Sequence, residues 1–286
     1  MCQIPSNAIT KALNPDPLDD YSAGMVRWVS LAFAAAFTLG QESPDLGFRV
    51  GSTFRTRRHA EARFTYRAAG VDEEGTMLHL EIDADLGWKI AKAAGTLFEC
   101  EVVPKSYRID FKDRQQLLEL KNDKFSAQLE ENAPAIVGLT KPFSLMVAES
   151  GKIEKTTLTD GASPMIAKFL LDVLPSDGGA LLGWFGPLPK NPVAGREWIT
   201  ATKGMLARED FFTITATCSW VPNDRMIKAR FRAGGGKWPK EALEESDGSI
   251  TFDAKGRISS VKVSWSARTK EGELVGSFKS QTDFLE

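Results

Sequence analysis

The chain has 286 residues, with 36 basic and 38 acidic side chains and a formal net charge of −2. That balance leaves no electrostatic footprint for nucleic acid or for an anionic membrane surface. Hydrophobic residues make up 42%, enough for a sizeable core in one large domain or two small ones.

Residues 1–24 read as an over-extended start: Asp16, Asp19 and Asp20 with Pro15 and Pro17 make a poor leader. From Met25 the pattern changes to that of a secretory signal over 25–40. Arg27 gives the charge, Trp28 to Phe37 the apolar core, and Thr38-Leu39-Gly40 the small residues before a cut at Gln41. A cut after Ala36 also fits, and a dozen apolar residues equally suit a buried helix, whereas a membrane span needs about 20. A lipid-anchored protein would carry cysteine where Gln41 stands. The expectation is an exported protein, periplasmic or extracellular, without a lipid anchor or a stable membrane span after cleavage. The remaining chain, 41–286, has a net charge of −1, because Lys11 and Arg27 leave it with Asp16, Asp19 and Asp20.

Within 46–158 apolar residues alternate at period two: Leu78, Leu80 and Ile82; Phe98, Cys100 and Val102; Tyr107, Ile109 and Phe111. Around "LGWKIAKAAG" the pattern is read as a second helix or a helical turn. "FSLMVAESGKIEKTTL" reads as strand, turn at Gly151, strand. Then the period shifts. Ile166, Phe169, Leu170, Val173 and Leu174 form one helical stripe, with Ser163 as N-cap, Pro164 at the first position and Pro175 as the stop, which predicts a helix over 162–175. "GGALLGWFGPLPKNPV" follows, apolar but too rich in glycine and proline for a regular helix. It is either a plug sealing the open side of a curved sheet or a lid over an apolar pocket.

Over 187–286 alternation returns. Phe212, Ile214, Ala216, Cys218 and Trp220 share one strand face; Ile227, Ala229 and Phe231 a second; Val261, Val263 and Trp265 a third. "GSITFDAKGRISSVKV" repeats the strand–turn–strand form with its turn at Gly256. Clean alternation points to antiparallel sheet with one packed and one wet face. The expected fold class is mainly β (α+β). It is a single domain over 41–286: a curved antiparallel sheet or half-barrel, in two related β-halves, packed around one central helix.

"SGKIEKTT", a helix and then "GPLPKNPVAGREW" resemble a group of uncharacterised exported bacterial proteins with a domain of unknown function. Leu188-Pro189, Pro192-Val193, Gly195 and Trp198 carry the likeness. The wider shape is similar to the curved half-barrels of periplasmic lipoprotein carriers and related lipid-binding lipoproteins. That resemblance implies a fold and leaves function to the site.

Chemistry is sparse in the sequence. His59 and His79 have no partners at ligand spacing, and HExxH, Cys–His, GxSxG and P-loop patterns are missing, so no metal, cofactor or catalytic residue is assigned. Glu244 with Glu245, or Glu130 with Glu131, could serve a hydrolase in principle, but stand in polar stretches. Arg49, Arg55, Arg57, Arg58, Arg63 and Arg67 form a basic run, read as a wet face balanced by Glu81, Asp83, Glu99 and Glu101, or else as an anion contact. Cys100 and Cys218 are either a disulfide or two free buried thiols.

The expected function is therefore non-enzymatic binding of an apolar or amphipathic ligand, with Phe169, Trp184, Phe185, Trp220 and Trp265 as its walls. Alternatives are a structural or protein-interaction module of the cell envelope, and a hydrolase with an unrecognised site.

Overall fold

The computed structural model describes residues 48–66, 76–112, 115–122, 124–128, 142–158, 181–189, 191–203, 213–234, 242–272 and 274–286. All lie in one compact unit, Glu42–Glu286. The start and signal expected over 1–24 and 25–40, and the helix expected over 162–175, lie outside these residues.

Alternating burial runs through the strands: β1 (Thr53–Tyr66), β2 (Thr76–Ala94), β3 (Leu97–Phe111), β4 (Gln116–Lys121), β5 (Lys124–Gln128), β6 (Phe143–Ala148), β7 (Ile153–Thr157), β8 (Glu197–Lys203), β9 (Thr213–Val221), β10 (Met226–Gly234), β11 (Leu243–Phe252), β12 (Ile258–Arg268) and β13 (Leu274–Leu285). On β12, Val261, Val263, Trp265 and Ala267 point in; on β9, Ile214, Ala216, Cys218 and Trp220 do. The helical turns among the described residues are two 3-10 turns, Gly183–Phe185 and Pro222–Asp224.

The strands form one open, curved antiparallel sheet in the order β5-β4-β3-β2-β1-β13-β12-β11-β10-β9-β8. It consists of two meanders, β1 to β5 and β8 to β13, joined where β1 pairs with β13 from Arg55–Leu285 to Phe64–Gly276. On its side away from β2, β3 pairs with β4 through 107–111 and with β6 through 97–102. Pro104, which has no amide hydrogen, stands between those two ladders. The turns at Gly151 and Gly256 are where the sequence puts them, with φ of 81° and 74°.

The helix expected around "LGWKIAKAAG" is corrected to strand, since β2 continues to Ala94. Leu86, Trp88 and Ile90 alternate inward at period two, and a bulge between Ile90 and Lys92 carries the strand past its small residues.

Candidate functional site

Across the inner face of the sheet runs a strap, residues 181–188, in which Leu182, Trp184, Phe185 and Leu188 are buried. Its ends are tied to the β6–β7 turn: Leu181 N donates to Gly151 O and Leu188 N to Ser150 O, both at 2.8 Å. Its middle is tied to β8, where Thr200 Oγ1 donates to Phe185 O at 2.6 Å. Gly183 and Gly186, at φ of 58° and 65°, bracket the 3-10 turn in a backbone region that favours glycine. At Gly186 a β-carbon would also meet the Thr200 side chain at 2.9 Å.

Trp184 stacks on Phe278 with ring centroids 4.7 Å apart and planes 5° from parallel. It meets Phe231 edge-on at 5.6 Å and Trp265 at 5.5 Å. Phe185 meets Phe231 edge-on at 5.3 Å. Trp184, Phe185 and Trp265 thus come together in one packed group of buried aromatic rings. Trp220 lies in the same core but packs on another ring, edge-on to Phe252 at 5.5 Å. Phe169 lies outside the described residues. The indole N–H groups of Trp184 and Trp198 are buried without a hydrogen-bond acceptor among the described residues.

Making room for this aromatic cluster opens the sheet locally. The β10–β11 ladder runs only from Met226–Thr251 to Ala229–Gly248. Beyond it, side chains replace the backbone rungs. Ser246 Oγ accepts from Phe231 N at 2.8 Å and donates to Phe231 O at 3.0 Å. Glu244 Oε2 accepts from Ala233 N at 2.9 Å and from Trp265 Nε1 at 3.2 Å. Glu244, named above as a hydrolase candidate, is engaged as a structural acceptor. Glu130 and Glu131 lie outside the described residues.

At the N-terminal end of the strap a cleft of about 40 Å³ opens between β1, β2, β12 and β13. Leu181, Leu182 and Gly183 form one wall. An aromatic stack forms another: Phe54 lies parallel to Trp88 at 5.5 Å and against Phe284 at 6.0 Å. Into this apolar lining project Thr56, Arg58, Ser280 and Thr282. Thr56 Oγ1 accepts from Trp88 Nε1 at 2.9 Å, and Arg58 Nε reaches Ser280 Oγ at 3.5 Å. Arg58 is only 5% exposed, so it does not belong to the wet face on which the arginine run was placed. Strand parity is the reason: Arg55 and Arg57 point outward to Asp85, and Arg58, one residue on, points inward.

The two cysteines among the described residues, Cys100 on β3 and Cys218 on β9, are free and buried. Burial pushes each thiol up to about 12, helped at Cys100 by the charge of Glu99. Burial likewise raises the Tyr107 phenol.

No family model matches the chain, and no curated protein matches it. A solved structure titled "Lipid-protein interactions in lipovitellin" is similar with a TM-score of 0.44 and 10% identity. The match covers 83% of this chain and 25% of that one, so this chain spans about a quarter of that protein's length. No helix among the described residues is long and apolar enough to cross a membrane.

Proposed function

We propose that the protein is a non-enzymatic carrier or sensor of a long-chain amphiphile, which enters at the cleft and displaces the strap. The observation that carries this reading is continuity: Leu181, Leu182 and Gly183 wall the cleft, and the next two residues, Trp184 and Phe185, are the plug. At about 40 Å³ the cleft has room for no more than a few water molecules, far below the several hundred Å³ of a small-molecule site. A ligand therefore has to take the plug's place.

The magnitudes select the ligand class. Two aromatic side chains bury roughly 300–500 Å² together, about 8–12 kcal/mol at 25 cal/mol per Å². At about 0.8 kcal/mol per methylene, a chain of roughly 10–15 carbons offsets their withdrawal, and a short chain does not. The indole N–H of Trp184, without an acceptor among the described residues, weakens the closed state, since a buried donor left unpaired costs about 1–3 kcal/mol. Arg58, Thr56, Ser280 and Thr282 supply hydrogen-bonding groups for the polar end of the molecule. The leader-like residues 25–40 support an encounter outside the cytoplasm.

Native mass spectrometry of the full chain, purified from an exporting host without detergent and then incubated with saturated fatty acids of 8 to 16 carbons, tests this. Adducts that appear only for the longer chains, and that Trp184→Ala strengthens, support it. Bare mass throughout overturns it. That result would favour the second reading, a protein-interaction module, for which the specific observation is edge strand β8, where Ile199 is 71% exposed.

A further inference from the structure

The opposite, outward face of β1 and β2 carries a different chemistry. Their antiparallel register sets His59 opposite Asp83, Glu61 opposite Glu81 and Arg63 opposite His79. The chain has only two histidines, and the register brings both into this one patch. His59 Nδ1 lies 2.8 Å from Asp83 Oδ1. Glu81, diagonal to His59, completes a triangle: one donor atom from each of His59, Glu81 and Asp83 lies within 4.8 Å of the others. Beside it, His79 Nε2 stands 3.4 Å from Glu61 Oε1.

Two facing glutamates on one sheet face repel, so this register costs stability unless cations stand around it. Arg63 holds Glu61 at 2.6 Å and Lys112 Nζ reaches Glu81 Oε2 at 3.0 Å. Lys112 Nζ also lies 2.5 Å from Asp110 Oδ2, so a cation arriving at Glu81 can release it onto a partner it already has. We propose that His59, Asp83 and Glu81 bind one divalent transition ion of the zinc class, with water completing its coordination.

One imidazole nitrogen with two carboxylate oxygens is a donor set that zinc accepts at about 2.0–2.2 Å. Tetrahedral donors at that distance stand roughly 3.3 Å apart. The His59–Asp83 side, at 2.8 Å, must therefore open by about 0.5 Å and the sides to Glu81 close by up to about 1.5 Å, which rotation of half-exposed side chains provides while the β1–β2 ladder holds their Cα positions. Calcium and magnesium prefer oxygen ligands throughout and gain little from the imidazole, which favours a zinc-class ion.

The test is calorimetric titration of zinc chloride into the tag-free full chain after chelator treatment, with magnesium chloride as the comparison. Saturable binding of one zinc per chain is expected, with no response to magnesium. His59→Gln and Asp83→Asn should each weaken it by about 10- to 100-fold, and His79→Gln should leave it within about twofold. These positions are on the wet face, and unchanged melting temperatures without zinc verify that the variants fold. No zinc binding up to about 1 mM overturns the proposal. Binding that survives both ligand substitutions, or that His79→Gln removes equally, also overturns it.

Discussion

The ring of Phe231 on β10 occupies the space that a β-carbon on Gly248 of β11 would need, and the ring of Phe185 closes over the same point at 3.1 Å. Gly248 is thus a packing residue, required because two aromatic rings cross the sheet where its ladder ends. Gly248→Ala is expected to lower stability by about 1–3 kcal/mol, the range for overpacking a filled core. Urea denaturation monitored by tryptophan fluorescence measures this. An unchanged midpoint would mean that the Phe231 ring does not occupy that space.

Among the described residues Trp184 makes three aromatic contacts, so Trp184→Ala removes more than its own burial. A loss of about 3–5 kcal/mol is expected, and Trp184→Phe should recover part of it by keeping the stack on Phe278. Thermal melting of the three proteins gives the order wild type, Phe, Ala. If Ala and wild type melt together, the strap is not part of the cooperative core.

Ser246 substitutes for a missing rung by bonding both the N–H and the C=O of Phe231. Ser246→Ala leaves both backbone groups unpaired in a half-buried site and should cost about 1–3 kcal/mol. Hydrogen exchange at the Phe231 amide is the direct readout, and faster exchange is the expected result.

The two free thiols titrate far above neutrality and have no exposed surface, so thiolate is scarce at pH 7. With Cys2, the third cysteine of the sequence, replaced in a Cys2→Ser background, 5,5′-dithiobis(2-nitrobenzoate) should find no reactive thiol in the native protein and two after unfolding without reductant. No thiol after unfolding would show that Cys100 and Cys218 are oxidised.

Asp253 anchors the β11–β12 turn by accepting from Lys255 N at 2.8 Å, Arg257 N at 2.9 Å and the Arg257 guanidinium at 2.8 and 3.0 Å. Lost solvation pushes its carboxyl pKa up. The two amides and the guanidinium more than reverse this, so it titrates below the ordinary carboxylate range. The folded chain therefore binds this proton at lower pH than the unfolded chain. The contribution to stability is complete above the unfolded value, near 4, and is lost as pH falls through the folded one. For this largely exposed turn it amounts to about 1 kcal/mol or less. Asp253→Asn should trail wild type in urea midpoint at pH 7 and converge with it in acid.

Much of the sheet was legible because it is written twice, in parity and in turns. Ile214 to Trp220 and Val261 to Trp265 show one apolar face each, and Gly151 and Gly256 mark the reversals between strands. The stretch Leu86 to Ala94 misled because Ala91, Ala93 and Ala94 also suit a helix, although Leu86, Trp88 and Ile90 already alternate. Arg58 was legible in principle, being out of phase with Arg55 and Arg57, but a run of like charges obscures a single inward residue. The grouping of His59 with Glu81 and Asp83 was not legible. It depends on the register between two strands, which no spacing within one strand reveals. The same holds for Trp184 against Phe278, a contact between distant segments that only the folded sheet creates.

The β1–β13 ladder has one more consequence. It is where the two meanders meet within the sheet, and the strap that leads into the second meander is tied to Ser150 and Gly151 of the β6–β7 turn. A chain severed between β7 and β8 would therefore yield two fragments with matching sticky edges, β1 on one and β13 on the other. With the cut placed before the strap, their reassociation would restore the β1–β13 ladder and the strap's two backbone hydrogen bonds to Ser150 and Gly151.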